Sequence, residues 1–323
     1  MSKPVVLRFS DFPASEPWKS ALDEASCLMT TSVSEVLSHP ELFIHVVGLI
    51  PLITHRVDSV VMDALPALKM IANYGAGVDN LDLKEAKARG IGVSNTPGVL
   101  SESTADLTFA LILAVCRRLI ESHGVMAANA FPGWSADYLL GMDVHGKTLG
   151  LVGLGQIGQA VARRAKAFNM RVIYTQRTPL SLELEKLLDV RYFPLETLLK
   201  TADIVSLHCP LTPETHHLIN QDRLALMKPA SVLINTARGP VVDEAVLVEA
   251  LQSGHLYGAG LDVFEEEPRA HSGLLSLKNV VMAPHIGSAT RETRNAMGDL
   301  AIQNLLAFLN QQPLLTPVLT TTE

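Results

Sequence analysis

The stretch that most constrains this chain is residues 147–168, KTLGLVGLGQIGQAVARRAKAF. Leu149, Leu151 and Val152 make a short apolar strand. Gly153, Gly155 and Gly158 complete a G-x-G-x-x-G, and Ile157, Val161, Ala162 and Ala165 recur at helical spacing. Strand, glycine turn and helix in that order form a dinucleotide-binding fingerprint. Gly153 permits the tight turn, Gly155 lets a pyrophosphate approach the backbone, and Gly158 lets the helix pack close to the strand. The ligand's charge then meets the free amides of the helix N-terminus. The turn lacks the Gly-Lys-Ser/Thr of a triphosphate-binding loop, which argues against nucleoside triphosphate hydrolysis. A tight turn that binds nothing is the plainer reading, so the rest of the chain has to decide.

The length, 323 residues, suits two domains. Charged residues make up only 18% of the chain, ordinary for a protein with a large core. The formal charge is −7 and there is no basic run, so no nucleic-acid partner is expected. Cys27, Cys116 and Cys209 are far apart and form no ligand-like pair, which fits a reducing compartment and no metal site. No signal-peptide stretch or run of eighteen apolar residues occurs, so a cytoplasmic protein without membrane attachment is expected.

Strands are expected at Val5–Leu7, Ala25–Met29, Ile44–Ile50, Lys69–Ala72 and Ile91–Val93, with helices at 32–40 and, capped by Asp82, at 83–90. Strands alternating with helices imply an α/β fold with parallel sheets. The glycine-rich loop Asn73–Asp79 then falls at a sheet's C-terminal edge, where such sheets bind ligands. One long, largely apolar helix is expected at about 103–123, started by Ser101 or Ser103, and a loop or arm at 130–145 around Trp134. Beyond the glycine turn, Arg171–Tyr174 is the second strand of the nucleotide fold. NAD sites place an acid near its end. Here the residues are Thr175-Gln176-Arg177-Thr178, with no acid, and Arg177 offers five donors to a phosphate. This favours NADP, with NAD possible.

Short helices are expected at 183–188 and 195–200, a strand at Ile204–Leu207, and helix, turn and strand within 224–239. Three short strands then end in polar clusters: Val232–Ile234 before Asn235–Gly239, Ala259–Leu261 before Asp262–Pro268, and Val280–Met282 before Ala283–Ala289. Asp243 is placed to cap a helix at 244–252, and a last helix spans about 290–310. His285 can exchange a proton near neutral pH. Any of Glu265, Glu266 or Glu267 beside it would favour its charged form. Arg238 is a fixed cation able to clamp a carboxylate. A hydride-delivering nucleotide, a proton-delivering histidine and an anion-holding arginine together make a 2-oxo acid reductase.

The ordered motifs NTPGVL (95–100), Thr104-Ala105-Asp106, VHGKTLGLVGLGQIG (144–158), HCPLTPETHHLIN (208–220), NTARGPVVD (235–243), GLDVFEEEP (260–268) and APHIGSAT (283–290) carry a resemblance over almost the whole length. The chain resembles the D-isomer-specific 2-hydroxyacid dehydrogenases, and within them the glyoxylate, hydroxypyruvate and 2-ketogluconate reductases. The resemblance implies a discontinuous flavodoxin-like substrate domain, residues 1–98 plus 291–323, and a Rossmann coenzyme domain, residues 99–290, with a cleft that closes on substrate. It implies that Arg238 binds the substrate carboxylate, that His285 is the general acid, and that Glu267 pairs with it. The backbone amides of Ala76 and Gly77 would also meet the carboxylate. Thr104, Gln156, Ile157, Arg177, Pro210 and Thr215 would line the coenzyme beside the glycine turn, and Asp262 would lie near the nicotinamide carboxamide. A homodimer through the coenzyme domains is implied, with Trp134 reaching the other subunit's site.

The expected activity is therefore NADPH-linked reduction of small 2-oxo acids such as glyoxylate and hydroxypyruvate. A reductase of 2-ketogluconate or bulkier 2-oxo acids is the near alternative, separated by pocket volume. A non-catalytic, NAD(H)-sensing corepressor-like protein is the distant one, and the intact Arg238, Glu267 and His285 weigh against it. A formate dehydrogenase is weaker still, because the reductase-like Glu267 argues against it.

Overall fold

Apolar runs too short for helices become parallel strands here because helices cover both faces of each sheet. The computed structural model describes residues 3–320, so the outermost residues of the expected substrate domain, 1–2 and 321–323, lie outside it. The chain divides into one unit formed by Met1–Leu100 with Ser288–Glu323 and a second formed by Ser101–Gly287.

The first unit opens with β1 (Val5–Arg8), α1 (Glu16–Ala25), β2 (Cys27–Thr30), α2 (Val33–Ser38) and β3 (Val46–Ile50). It continues with α3 (Ser59–Asp63), β4 (Met70–Ala72), α4 (Leu83–Ala88) and β5 (Gly92–Ser94). The parallel strands run in the order β2-β1-β3-β4-β5, the flavodoxin-like order. Ser32 and Asp82 cap α2 and α4 by accepting the Glu35 and Glu85 amides. The strand expected at Ala25–Met29 starts only at Cys27, because residues 16–25 are helical. That helix buries a single residue, Leu22. Ile44 is exposed, and its strand begins at Val46.

The second unit begins with α5 (Ser101–Cys116) and α6 (Leu119–Ala127). Here the single helix expected at 103–123 is corrected to two. The first starts at Ser101, so Ser103 lies inside it. At the break the Cys116 carbonyl accepts the Met142 amide at 2.8 Å, returning from the 130–145 segment, and Arg118 turns left-handed at φ +49°. Then follow β6 (Thr148–Val152), α7 (Gln156–Ala167), β7 (Arg171–Thr175), α8 (Leu182–Leu188), β8 (Val190–Tyr192), α9 (Leu195–Thr201) and β9 (Ile204–Leu207). The unit ends with α10 (Gln221–Leu226), β10 (Ser231–Asn235), α11 (Glu244–Gln252), β11 (Leu256–Leu261) and β12 (Val280–Met282). The sheet order is β8-β7-β6-β9-β10-β11-β12, all parallel. This is the Rossmann order with a seventh strand, and the chain direction switches between β6 and β9. Its helix within 224–239 sits earlier than expected, at 221–226, because Asn220 caps it.

After residue 287 the chain returns to the first unit. There α12 (Arg291–Leu309) packs on α1 and β4, and β13 (Pro317–Leu319) adds an antiparallel edge beside β5. The return is tight. The Tyr74 hydroxyl donates to the Arg294 carbonyl at 2.7 Å, and a Cβ on Gly48 would lie 2.7 Å from Leu305. The first unit is therefore discontinuous, and both sheets are parallel apart from that edge strand. Among the described residues, no helix is long and apolar enough to cross a membrane.

Candidate active site

The switch between β6 and β9 puts the Gly153 turn beside the end of β9. Gly153 has φ +97°, and a Cβ there would lie 2.7 Å from the His208 carbonyl oxygen. Only glycine meets both demands. Gly155 is the opposite case. It is the first cap of α7, and a Cβ on it would meet no atom within 4 Å. Backbone amides at a helix start, facing open space, fit the pyrophosphate of a dinucleotide. Gly158 packs against the Gly153 carbonyl, where a side chain would collide. Gln156 and Ile157 form the first helical positions of α7.

At the end of β7, Gln176 turns its side-chain oxygen back to accept the Leu154 amide at 3.2 Å, bracing the glycine turn. Arg177, next along, lies within electrostatic reach of the exposed Glu214. The Glu214 carboxyl is held below its usual range by the Thr212 hydroxyl first and by Arg177 in smaller part. After β9, Pro210 is exposed. The Thr215 hydroxyl donates to the Pro210 carbonyl at 2.6 Å and accepts the Thr212 amide at 2.7 Å, which closes the loop between them. The Thr104 side chain packs against Gly287, and its carbonyl accepts the Thr108 hydroxyl.

The strand ends of β10, β11 and β12 lie in register, with Asn235 opposite Leu261 and Leu261 opposite Met282. The three polar clusters therefore share one sheet edge. After β10, the Asn235 side chain donates to the Arg238 carbonyl at 2.9 Å and accepts the Ala237 amide at 3.0 Å, a closed turn that projects Arg238. Gly239 then runs directly against the Phe264 backbone, where a Cβ would collide, so Arg238 and the Phe264–Glu267 segment are held together.

After β12, His285 has its Nδ1 2.8 Å from Glu267 Oε2, while Glu267 Oε1 accepts the Phe264 amide at 3.1 Å. Burial disfavours charge on Glu267. His285, the Phe264 amide and Arg238 outweigh it and hold the carboxyl below its usual range. A carboxylate only accepts, so Nδ1 carries the hydrogen and Nε2 is the nitrogen left for a substrate oxygen. Of the three glutamates, Glu267 makes this contact. Glu265 pairs with His217 instead, at 2.5 Å, and Glu266 lies near Arg269.

Asp262 is 2% exposed, and its two oxygens accept the Ile286 and Gly287 amides at 2.7 Å each. Its carbonyl accepts the His285 amide at 2.9 Å. His285 itself is left-handed, φ +54°, a backbone state that needs such support. A second histidine, His208 at the end of β9, makes a poor acid. Burial pushes it down to about 3, so it stays neutral, with Nε2 2.9 Å from the Ser206 hydroxyl.

In the first unit, the loop after β4 has three successive carbonyls tied back. Gly75 accepts the Thr96 amide at 2.9 Å, Ala76 the Asn95 side chain at 2.6 Å, and Gly77 the Asn73 side chain at 2.8 Å. Trp134 is 86% exposed in the irregular 130–145 segment of the second unit. Sequence reasoning missed the bracing roles of Gln176, Asn235 and the asparagines of this loop. Their signal was present only as polar residues beside glycine turns.

A family description, "D-isomer specific 2-hydroxyacid dehydrogenase, NAD binding domain", matches residues 109–287. The chain is 51% identical over 265 residues to a glyoxylate reductase of Thermococcus litoralis, covering 81% of this chain and 80% of that one. Among solved structures it is similar to a glyoxylate reductase of Paecilomyes thermophila (35% identity, TM-score 0.91, 98% and 99% of the two chains). It is likewise similar to an NADPH-dependent glyoxylate/hydroxypyruvate reductase of Sinorhizobium meliloti solved with NADP and malonate (37% identity, TM-score 0.90, 98% and 97%). With that match over more than half its length, and with arginine, glutamate and histidine on one sheet edge, this chain belongs to the D-isomer specific 2-hydroxyacid dehydrogenase family.

Proposed function

We propose that this enzyme reduces small 2-oxo acids, glyoxylate and hydroxypyruvate first among them, to 2-hydroxy acids with NADPH. The observation that carries the reading is the Glu267–His285 pair, 2.8 Å apart, on the sheet edge that also presents Arg238. The dinucleotide would be held by the Gly153–Gly158 turn and the first amides of α7, with Thr104, Pro210, Thr215 and Asp262 around it. When bound, the reduced nicotinamide supplies a hydride to the carbonyl carbon of the acid. Arg238 holds the carboxylate and polarises the 2-oxo group. Within the first unit, the loop after β4 offers the amides of Ala76 and Gly77 as anion donors. His285 delivers the Nε2 proton to the carbonyl oxygen, and Glu267 stabilises the imidazolium until it does. Oxidation of the hydroxy acid runs the same steps backward, with His285 as base.

NADP is preferred in this reading because residues 175–178 offer no carboxylate to a ribose and Arg177 offers a cation to its 2′-phosphate. A second copy of the chain covers α6 and the 130–145 segment. There Leu119, Ile120, Met126, Phe131, Trp134 and Leu140 are all exposed, and exposed apolar side chains grouped in one stretch of chain suit a protein interface. Free cysteines throughout suit a cytoplasmic enzyme.

The test is a coenzyme-oxidation assay with NADPH and NADH side by side, on glyoxylate, hydroxypyruvate, 2-ketogluconate, pyruvate and an aromatic 2-oxo acid. Highest kcat/KM with NADPH and the two small acids is expected. Coenzyme binding without turnover on any of them would replace the reading with that of a sensing protein.

A further inference from the structure

Behind the Glu267–His285 pair stands a second acidic cluster that the proposed chemistry does not use. Glu244 opens α11 just after its cap, Asp243, where a glutamate ordinarily faces water and the helix dipole. Here it is 4% exposed. Its Oε1 accepts the Glu265 amide at 2.8 Å and its Oε2 accepts the His271 amide at 3.0 Å. Glu265 returns the contact, its Oε2 accepting the Glu244 amide at 2.9 Å, while its Oε1 meets His217 Nε2. His217 Nδ1 lies 3.8 Å from Asp243. Each glutamate thus holds the other's backbone, and between them they fix both ends of the segment 265–271. Glu267 rides on that segment, and the adjacent Gly239–Phe264 contact ties the same segment to Arg238.

A carboxylate this buried is costly unless it is hydrogen-bonded, and each Glu244 oxygen accepts a backbone amide. These bonds end at Glu265 and His271, on either side of Glu267, the partner of the general acid. We propose that Glu244, acting through Glu265 and braced by His217, is a positioning residue that sets Glu267 against His285. Its effect is on the proton-transfer step rather than on coenzyme binding. The inference rests on the reductase reading for its kinetic consequence, but its geometric part does not.

The experiment is a double-mutant cycle of Glu244→Gln with Glu267→Gln. The glutamine keeps the shape of the side chain but has one acceptor oxygen for two amides. In the wild-type background, Glu244→Gln should lower kcat about tenfold, the scale on which small misplacements of reacting groups register. KM for glyoxylate and Kd for NADPH should stay within about twofold. In the Glu267→Gln background the same change should cost almost nothing, because the group it positions is already altered. An equal loss in both backgrounds, or no loss in either, overturns the proposal. Where Glu244→Gln fails to fold, Glu265→Gln takes its place with the same expected pattern. A readout without turnover separates this inference from the reductase reading. In protein labelled with 15N-histidine, the His285 Nδ1 resonance should move in Glu244→Gln in the same direction as in Glu267→Gln. An unmoved resonance sinks the positioning role whatever the substrate proves to be. A moved one in an enzyme inactive on every 2-oxo acid leaves it standing and removes the reading of function.

Discussion

Asp262 holds the backbone of His285 from beneath, its carbonyl accepting the His285 amide at 2.9 Å while its carboxylate takes the next two amides at 2.7 Å. The left-handed turn at His285 depends on these three bonds. Burial raises the Asp262 carboxyl, and the Ile286 and Gly287 amides and His285 work against that. Replacing Asp262 with Ala strands two amides in a buried place. The expected cost is about 2–4 kcal/mol in urea unfolding, with activity falling at least as steeply as in Asp262→Asn, which keeps one acceptor. Equal stability of Asp262→Ala and wild type would contradict this.

Glu267 makes stability depend on pH in a defined direction. Its carboxyl is lower in the folded protein than the ordinary 4.5, so the unfolded chain binds its proton first as pH falls. The contribution is fully present above the ordinary carboxylate range and is lost as pH drops through the folded value. Across the carboxylate range the stability gap between wild type and Glu267→Gln should therefore shrink as pH falls from about 5 toward 3. Urea titrations at a series of pH values measure it, and a gap that widens over that interval would show the pair to be wrongly described.

In the proposed reading Arg177 sets the coenzyme preference. Arg177→Ala should raise the Kd for NADPH about tenfold or more and leave NADH within about twofold, since only the former presents a phosphate for a charge-assisted bond. Fluorescence titration of each reduced coenzyme reads this directly. An equal loss for both would move the cation's role from the 2′-phosphate to the fold.

Much of this arrangement is legible from residues alone, and the reason is local. The glycine turn, the caps at Asp82 and Asp243, and the three polar clusters each depend on a few neighbours in sequence. Their meeting on one edge follows from parallel pairing of consecutive strands. What escaped depends on partners far along the chain. The break at Arg118 is made by the Met142 amide, and β13 pairs with a strand more than two hundred residues earlier. Glu244 reads as an ordinary first-turn acid until Glu265 and His271 bury it. Asp262 was expected at the nicotinamide, and nothing in GLDVFEEEP announces that its oxygens meet the backbone after His285.

The loop after β4 in the first unit is clamped by side chains on either side of it. Carbonyls of Gly75, Ala76 and Gly77 are all tied back, to Thr96, Asn95 and Asn73. Asn73 is itself locked by Asn80, whose side chain donates to it at 3.0 Å and to the His55 carbonyl at 3.2 Å. A peptide plane whose carbonyl is held turns the neighbouring amide the other way, so this clamp decides where the amides of Ala76 and Gly77 point. If those amides bind the substrate carboxylate, as we propose, Asn95→Ala should raise KM for glyoxylate about tenfold while kcat and the Kd for NADPH change much less, because a ground-state anion contact is what is lost. Asn95→Asp keeps the size but turns an acceptor toward the Ala76 carbonyl and should be at least as damaging. Unchanged KM in both variants would remove the loop from the substrate site and leave Arg238 as the anion's holder.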